Sequence, residues 1–322
     1  MSSILAGALS VALATNQLVA ASNLVKQATG ISVPVADPKD PGEKEYREIM
    51  ELDDQVHDDI DRWLKENLDF SSQGAGMRKA LLNSKIRVRL DAVRARYEKF
   101  LEQNPKHARG HTVYGSFLND LGEEASAVVE WEKAREADPK LPAAWNNLAN
   151  YYGHRGPVTK AFQYYEKALE LNPGEGVYLQ NLATTVFLFR QDAMEFYKLT
   201  EPQVFDKSLE LYRKALELAP KDLALATDVA QTYYGIKPVR TADALKAWEY
   251  ALQLAESSEE KEGIYIHMAR VEITGGKIAE ARQHLGMVTN QLYLDLRKRI
   301  ERNLEKKLSG TNAVEAEAIP AK

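Results

Sequence analysis

The sequence predicts an all-α chain, an array of repeated helical units between helical caps. Three observations predict it. Asn104-Pro105, Asp138-Pro139 and Asn172-Pro173 close similar charged segments at two successive spacings of 34 residues. A fixed period of that length is the mark of a repeat architecture. One segment recurs as Trp131-Glu132-Lys133-Ala134, Tyr165-Glu166-Lys167-Ala168 and Tyr212-Arg213-Lys214-Ala215, and more loosely as Trp248-Glu249-Tyr250-Ala251. The flanking segments carry apolar residues at helical spacing.

Residues 1–36 stand apart from the rest. They hold a single basic residue, Lys26, and no acid. Ile4 to Ala14 is an apolar run, and small residues follow at Ala12-Leu13-Ala14 and Val19-Ala20-Ala21. An apolar core followed by small-x-small is how a cleavable export signal looks. Met1 to Ala21 is therefore expected to direct the chain to the periplasm or outside the cell, although no Lys or Arg follows Met1. Without that signal the chain is cytoplasmic and residues 1–36 are a disordered tail. Asn16 and Gln17 interrupt the run, so a membrane-spanning helix is not expected.

Residues 37–107 read as a helical hairpin. Ile49, Leu52, Val56, Ile60, Trp63 and Leu68 form one apolar stripe, and Leu82, Ile86, Leu90, Val93, Tyr97 and Phe100 form another. The first segment, 43–69, holds eleven acids against four bases, whereas 78–99 holds eight bases against two acids. Opposite charge predicts an antiparallel pair with its register fixed by cross-helix ion pairs.

The middle of the chain resembles the tetratricopeptide repeat family. The run Ala144-Trp145-Asn146-Asn147-Leu148-Ala149-Asn150-Tyr151-Tyr152, then Gly156, Ala161, Tyr165, Ala168 and Pro173, fits that family's pattern. The resemblance implies units of two antiparallel helices, A and B, beginning near 108, 142, 176, 223 and 262. It also implies small side chains where the helices touch, at positions 8, 20 and 27. These read Gly115, Ala149, Ala183, Ala230, Ala269; Ala127, Ala161, Ser208, Ala244, Ala281; and Ala134, Ala168, Ala215, Ala251, Val288. The implied fold is a right-handed solenoid of about five helix pairs over 108–290. The interval Pro173 to Pro220 is 47 residues, so the third unit carries an insertion near 191–203. Leu292, Leu296, Ile300, Leu304 and Leu308 predict a C-terminal capping helix over 291–308, and 309–322 reads as a disordered tail.

Composition and motifs exclude most chemistry. There is no cysteine, so disulfides and thiolate sites are out. Net charge is -5, which disfavours binding of nucleic acid by phosphate neutralisation. His107 and His111 lie four apart, but no third ligand accompanies them, and they read as surface polar residues. Phosphate loops, nucleophile elbows and His-Glu-x-x-His are missing from the sequence. No catalytic residue, metal or cofactor is expected, and the partner is expected to be a protein or peptide.

The resemblance implies a concave face built from A-helix positions 2, 5, 6, 9 and 12. Position 5 reads Asn146, Gln180, Thr227; position 6 reads Asn147, Asn181; position 9 reads Asn150, Thr184, Gln231. Phe187 and Tyr234, at position 12, would be its aromatic contacts. Neutral amides and hydroxyls both donate and accept, so they suit the backbone of an extended peptide. The Asn147/Asn181 pair looks like a short asparagine ladder. The family's carboxylate clamp is not kept: Asn150 and Asn181 remain, but Asn146, Ala224 and Asp228 stand where cations are needed. The alternative is an assembly role through the insertion, with Phe196 and Tyr197 as apolar anchors.

Overall fold

The computed structural model describes residues 41–72, 77 and 79–317. The expected signal, Met1 to Ala21, lies outside the described residues. Every regular element among them is helical, with no strand. The chain divides between Asp138 and Pro139 into two compact units.

The first unit holds α1 (Pro41–Ser72), α2 (Lys79–Gln103), α3 (Ala108–Asp120) and α4 (Glu124–Ala137). Ile49 and Val56 on α1 are fully buried with Val93, Tyr97 and Phe100 on α2. Arg89 pairs with Asp59 at 2.8 Å and Tyr97 Oη donates to Asp53 at 2.6 Å, so charged and polar pairs do cross the hairpin. Leu68 is a correction: it is 71% exposed, and Leu64, Leu81 and Val88 are exposed with it. The stripe seals the hairpin only away from its tip.

His107 and His111 also depart from expectation. His107 Nδ1 accepts from Gly110 N at 2.9 Å and caps α3, where free N–H groups need acceptors. His111 is 4% exposed and sits 2.6 Å from Glu130 and 3.0 Å from the Pro105 carbonyl. It ties α3 to α4 rather than facing solvent.

The second unit holds α5 (Pro142–Arg155), α6 (Val158–Leu171), α7 (Gly176–Leu188), α8 (Arg190–Tyr197), α9 (Glu201–Leu218), α10 (Leu223–Thr232), α11 (Thr241–Leu254), α12 (Ser258–Thr274), α13 (Ile278–Gly286) and α14 (Gln291–Glu317). Local sequence sets the starts. Pro142 occupies the first turn of α5, where a missing N–H costs nothing. Thr200 with Gln203 and Ser257 with Glu260 form capping boxes on α9 and α12. The small positions do what the repeat requires. Ala127, Ala134, Ala149, Ala161, Ala168, Ala183, Ala215, Ala251, Ala269 and Ala281 are all 0% exposed. A Cβ on Gly115 would lie 2.5 Å from Trp131, so only glycine permits that approach. Ser208, the polar exception, donates to the Ala183 carbonyl at 2.8 Å and leaves no orphan group.

The insertion forms a helix of its own, α8, between α7 and α9. Its aromatic residues turn inward. Phe196 and Tyr197 lie 5.4 and 5.5 Å from Phe162, ring centre to ring centre, and Phe162 is fully buried. Ala193 is 0% exposed. Phe196 and Tyr197 are thus packed within the unit, which corrects their reading as free anchors.

At the far end Ile300 and Leu304 are buried, but Leu292 is 70% exposed. The last helix runs through Glu317, past the Leu308 boundary expected from the stripe.

Candidate functional site: the polar file on the A helices

The residues expected to face a ligand lie on α5, α7 and α10, the A helices of three successive repeats, and on the turn after α10. Their side chains are largely engaged with one another. Asn181 Nδ2 donates to Asn146 Oδ1 at 3.1 Å, from α7 to α5. Gln180 Nε2 donates to Asp228 Oδ2 at 2.9 Å, from α7 to α10. Both bonds join position 5 of one repeat to position 6 of the next. They form a ladder of mixed amide and carboxylate rungs.

The ladder differs from the expected Asn147/Asn181 pair. A repeat-to-repeat offset brings position 6 against position 5 of the preceding helix, so Asn181 meets Asn146. Asn147 is half-buried and contacts the Asn146 amide at 3.5 Å. Asn146 itself is 6% exposed and acts between helices. Burial raises the Asp228 pKa, and the Gln180 amide works against that shift.

A second repeated contact pins position 9 within two of the repeats. Tyr165 on α6 donates its hydroxyl to Asn150 Oδ1 at 2.6 Å. Tyr212 on α9 shares a hydrogen bond of 2.7 Å with Thr184 Oγ1. Burial pushes the Tyr165 pKa up to about 12, which keeps that donor protonated. Sequence reasoning missed these pins, although Tyr165 and Tyr212 head the recurring B-helix segment. Phe187 is half-buried and packs against Gly235, where a Cβ would approach its ring to 2.5 Å. It also lies 5.9 Å from Phe205. Thr227 Oγ1 bonds back to the Ala224 carbonyl of its own helix at 2.7 Å.

The pattern changes at α10 and α12. Gln231 is exposed and its side chain makes no hydrogen bond among the described residues. Tyr234 is 39% exposed and its hydroxyl bonds His267 Nδ1 at 3.0 Å. The His267 ring stacks on Trp248, centroids 4.4 Å apart and 10° from parallel. Arg270 lies over the Tyr234 ring, 4.9 Å from its centre. Burial, helped by Arg270, lowers the His267 pKa to about 4, so the ring is neutral at pH 7.

Among the described residues no group of three His, Asp or Glu side chains could hold a metal ion, and no helix is long and apolar enough to cross a membrane.

Comparison with known proteins places this geometry. Residues 142–175 match the tetratricopeptide repeat family model. A stretch of 130 residues is 28% identical to the photosystem I assembly protein Ycf3 of Rippkaea orientalis, spanning 38% of this chain and 75% of that protein. Among solved structures the fold resembles PilF of Pseudomonas aeruginosa, at 15% identity and a TM-score of 0.51, over 77% of this chain and 99% of that one. It also resembles PilW, a widely conserved type IV pilus biogenesis factor, at 12% identity and a TM-score of 0.51, over 73% and 94%.

Proposed function

The chain is a tetratricopeptide repeat protein, and from that premise we propose that it is a non-catalytic scaffold holding a peptide or partner protein along its A helices. The supporting observation is the file of amides and hydroxyls on α5, α7 and α10, held by rungs and pins. A preset file loses little side-chain entropy when a ligand backbone arrives. Asn147, Thr227 and Gln231 supply donors and acceptors and Tyr234 an aromatic edge, while Asn150, Asn181 and Thr184 are held by partners within the protein. No nucleic-acid role is part of this reading, because the chain carries net negative charge. Nor is an enzymatic one, because the sequence carries no phosphate loop, nucleophile elbow or His-Glu-x-x-His motif. A part in assembling larger complexes, as the name of the photosystem relative states for that protein, fits a scaffold.

The test uses partners recovered by affinity purification of the native protein. Asn147→Ala with Gln231→Ala should weaken their binding by about 1–3 kcal/mol, the usual result of unpaired polar groups. Unchanged binding in that variant, with loss on removing 191–203, would move the site to the insertion. Export is a separate part of the proposal. The mature chain should begin after Ala14 or Ala21 by mass spectrometry, and intact Met1 or Ser2 in the cytoplasm would refute it.

A further inference from the structure

The ladder and pins leave one end of the file open. At α5 and α7 the position 9 side chains are held by tyrosine hydroxyls. In the next repeat the residue matching Tyr165 and Tyr212 is Trp248, and position 9 is Gln231. Trp248 is 1% exposed, yet its indole N–H has no hydrogen-bond partner among the described residues. A buried donor without a partner is rare in a finished fold and calls for an explanation. Gln231 beside it in the repeat pattern is also unengaged. Here the position 9 side chain and the B-helix aromatic do not bond each other as they do in the two preceding repeats.

The same place carries a positioned cation. Arg270 is exposed and makes no ion pair with any acid among the described residues. Its guanidinium lies over Tyr234, 4.9 Å from the ring centre. Tyr234 is fixed in turn by two bonds to His267, at 3.0 Å to Nδ1 and 3.2 Å to the carbonyl. His267 is clamped flat on Trp248. The result is a contiguous cluster: the imidazole stacks on the indole, the phenol is tilted 44° to the imidazole, and the guanidinium lies over the phenol. A guanidinium held on an aromatic face keeps its N–H edge free, and that edge matches the two oxygens of a carboxylate. His267 stays neutral near pH 7, so Arg270 is the cation of the cluster.

We infer that Arg270, on its Tyr234–His267–Trp248 cluster, binds a carboxylate of the partner peptide, with Gln231 bonding the neighbouring peptide backbone. This inference rests on the proposed peptide-binding role and adds its chemical selectivity. The carboxylate belongs to an Asp or Glu side chain or to the chain terminus. Arg270 would fix where along the file the ligand sits.

The experiment uses the full chain and a library of random 12-residue peptides, synthesised once with free and once with amidated C termini. The wild type should enrich peptides carrying an acid or a free terminus. Enrichment that survives amidation assigns a side chain, and enrichment that needs the free terminus assigns the chain end. Arg270→Gln should weaken the selected peptides about tenfold or more. Arg270→Lys should recover only part of that, because the ammonium lacks the planar fork. Because Arg270 is exposed, its variants should unfold at the wild-type temperature. Binding that ignores acids, or that Arg270→Gln leaves unchanged, overturns this inference while the scaffold reading stands. A wild type that enriches no peptide overturns both.

Discussion

The two ends of the polar file use the same repeat positions for opposite purposes. At α5 and α7 the amides are spent on the protein: Asn146 takes Asn181, Gln180 takes Asp228, and tyrosines hold Asn150 and Thr184. At α10 and α12 Gln231 is unengaged and Arg270 lies over the Tyr234 ring, with no acid partner among the described residues. The difference comes from one substitution in the B helix. A tyrosine hydroxyl reaches position 9 in two repeats, whereas Trp248 leaves its N–H without a partner among the described residues. A residue in a recognition position is therefore not by that fact a recognition residue. Its neighbours on the B helix decide.

The largest expected effect tests whether the insertion belongs to this framework. Phe162 is 0% exposed and carries both Phe196 and Tyr197. Phe162→Ala should cost about 3–5 kcal/mol in denaturant unfolding. A small loss would mean that α8 packs loosely and is free to bind elsewhere. The small positions come next. Ala168 is 0% exposed, and Ala168→Leu should overpack α5 against α6 and cost about 1–3 kcal/mol. Repeat coupling is largely nearest-neighbour, so the loss should reach α7 and fade beyond it.

Sequence reasoning read the repeat frame well for a physical reason. A small side chain at a helix contact is a local requirement repeated five times, so Ala149, Ala161 and Ala168 announce themselves. The pairing of polar groups is not local. Whether Asn181 meets Asn147 or Asn146 depends on the offset between successive helices, which no single repeat encodes. The packing of Phe196 and Tyr197 on Phe162 was hidden for a related reason. An aromatic pair in an insertion looks like an exposed anchor until Phe162 is found beneath it. Leu68 and Leu292 fit their stripes, but each stripe extends past the neighbour that would cover it.

Two histidines, His57 on α1 and His267 on α12, contribute opposite pH dependences. The Asp53 hydrogen bond raises His57 in the first unit to about 9, from an ordinary value of 6.5. Its stabilising contribution is complete below 6.5 and is lost as pH climbs to about 9. Burial lowers His267 to about 4. Its contribution is present above 6.5 and is lost as pH falls towards 4. Hydrogen exchange, corrected for intrinsic rate, should show acidification from pH 7 to 5 loosening α10 to α12 but not the turns of α1 around His57. Raising pH from 7 to 9 should loosen α1 and spare α12. Parallel behaviour of the two regions would refute these assignments.

The smallest stability effect belongs to the open end. Gln231→Ala should change unfolding by less than about 0.5 kcal/mol, as expected for an exposed, unengaged side chain. The same change should be measurable in peptide binding. A clear stability loss would show that Gln231 has a structural partner after all.

The contrast between a closed and an open file is tested most directly by a double-mutant cycle on its central rung. Asn146→Ala, Asn181→Ala and the double variant are unfolded in denaturant alongside the wild type. If Asn146 and Asn181 hold each other, each single change loses about 1–3 kcal/mol and the double loses little more than either one. Losses that simply add would contradict the account, since they would show the two amides acting independently and left for a ligand.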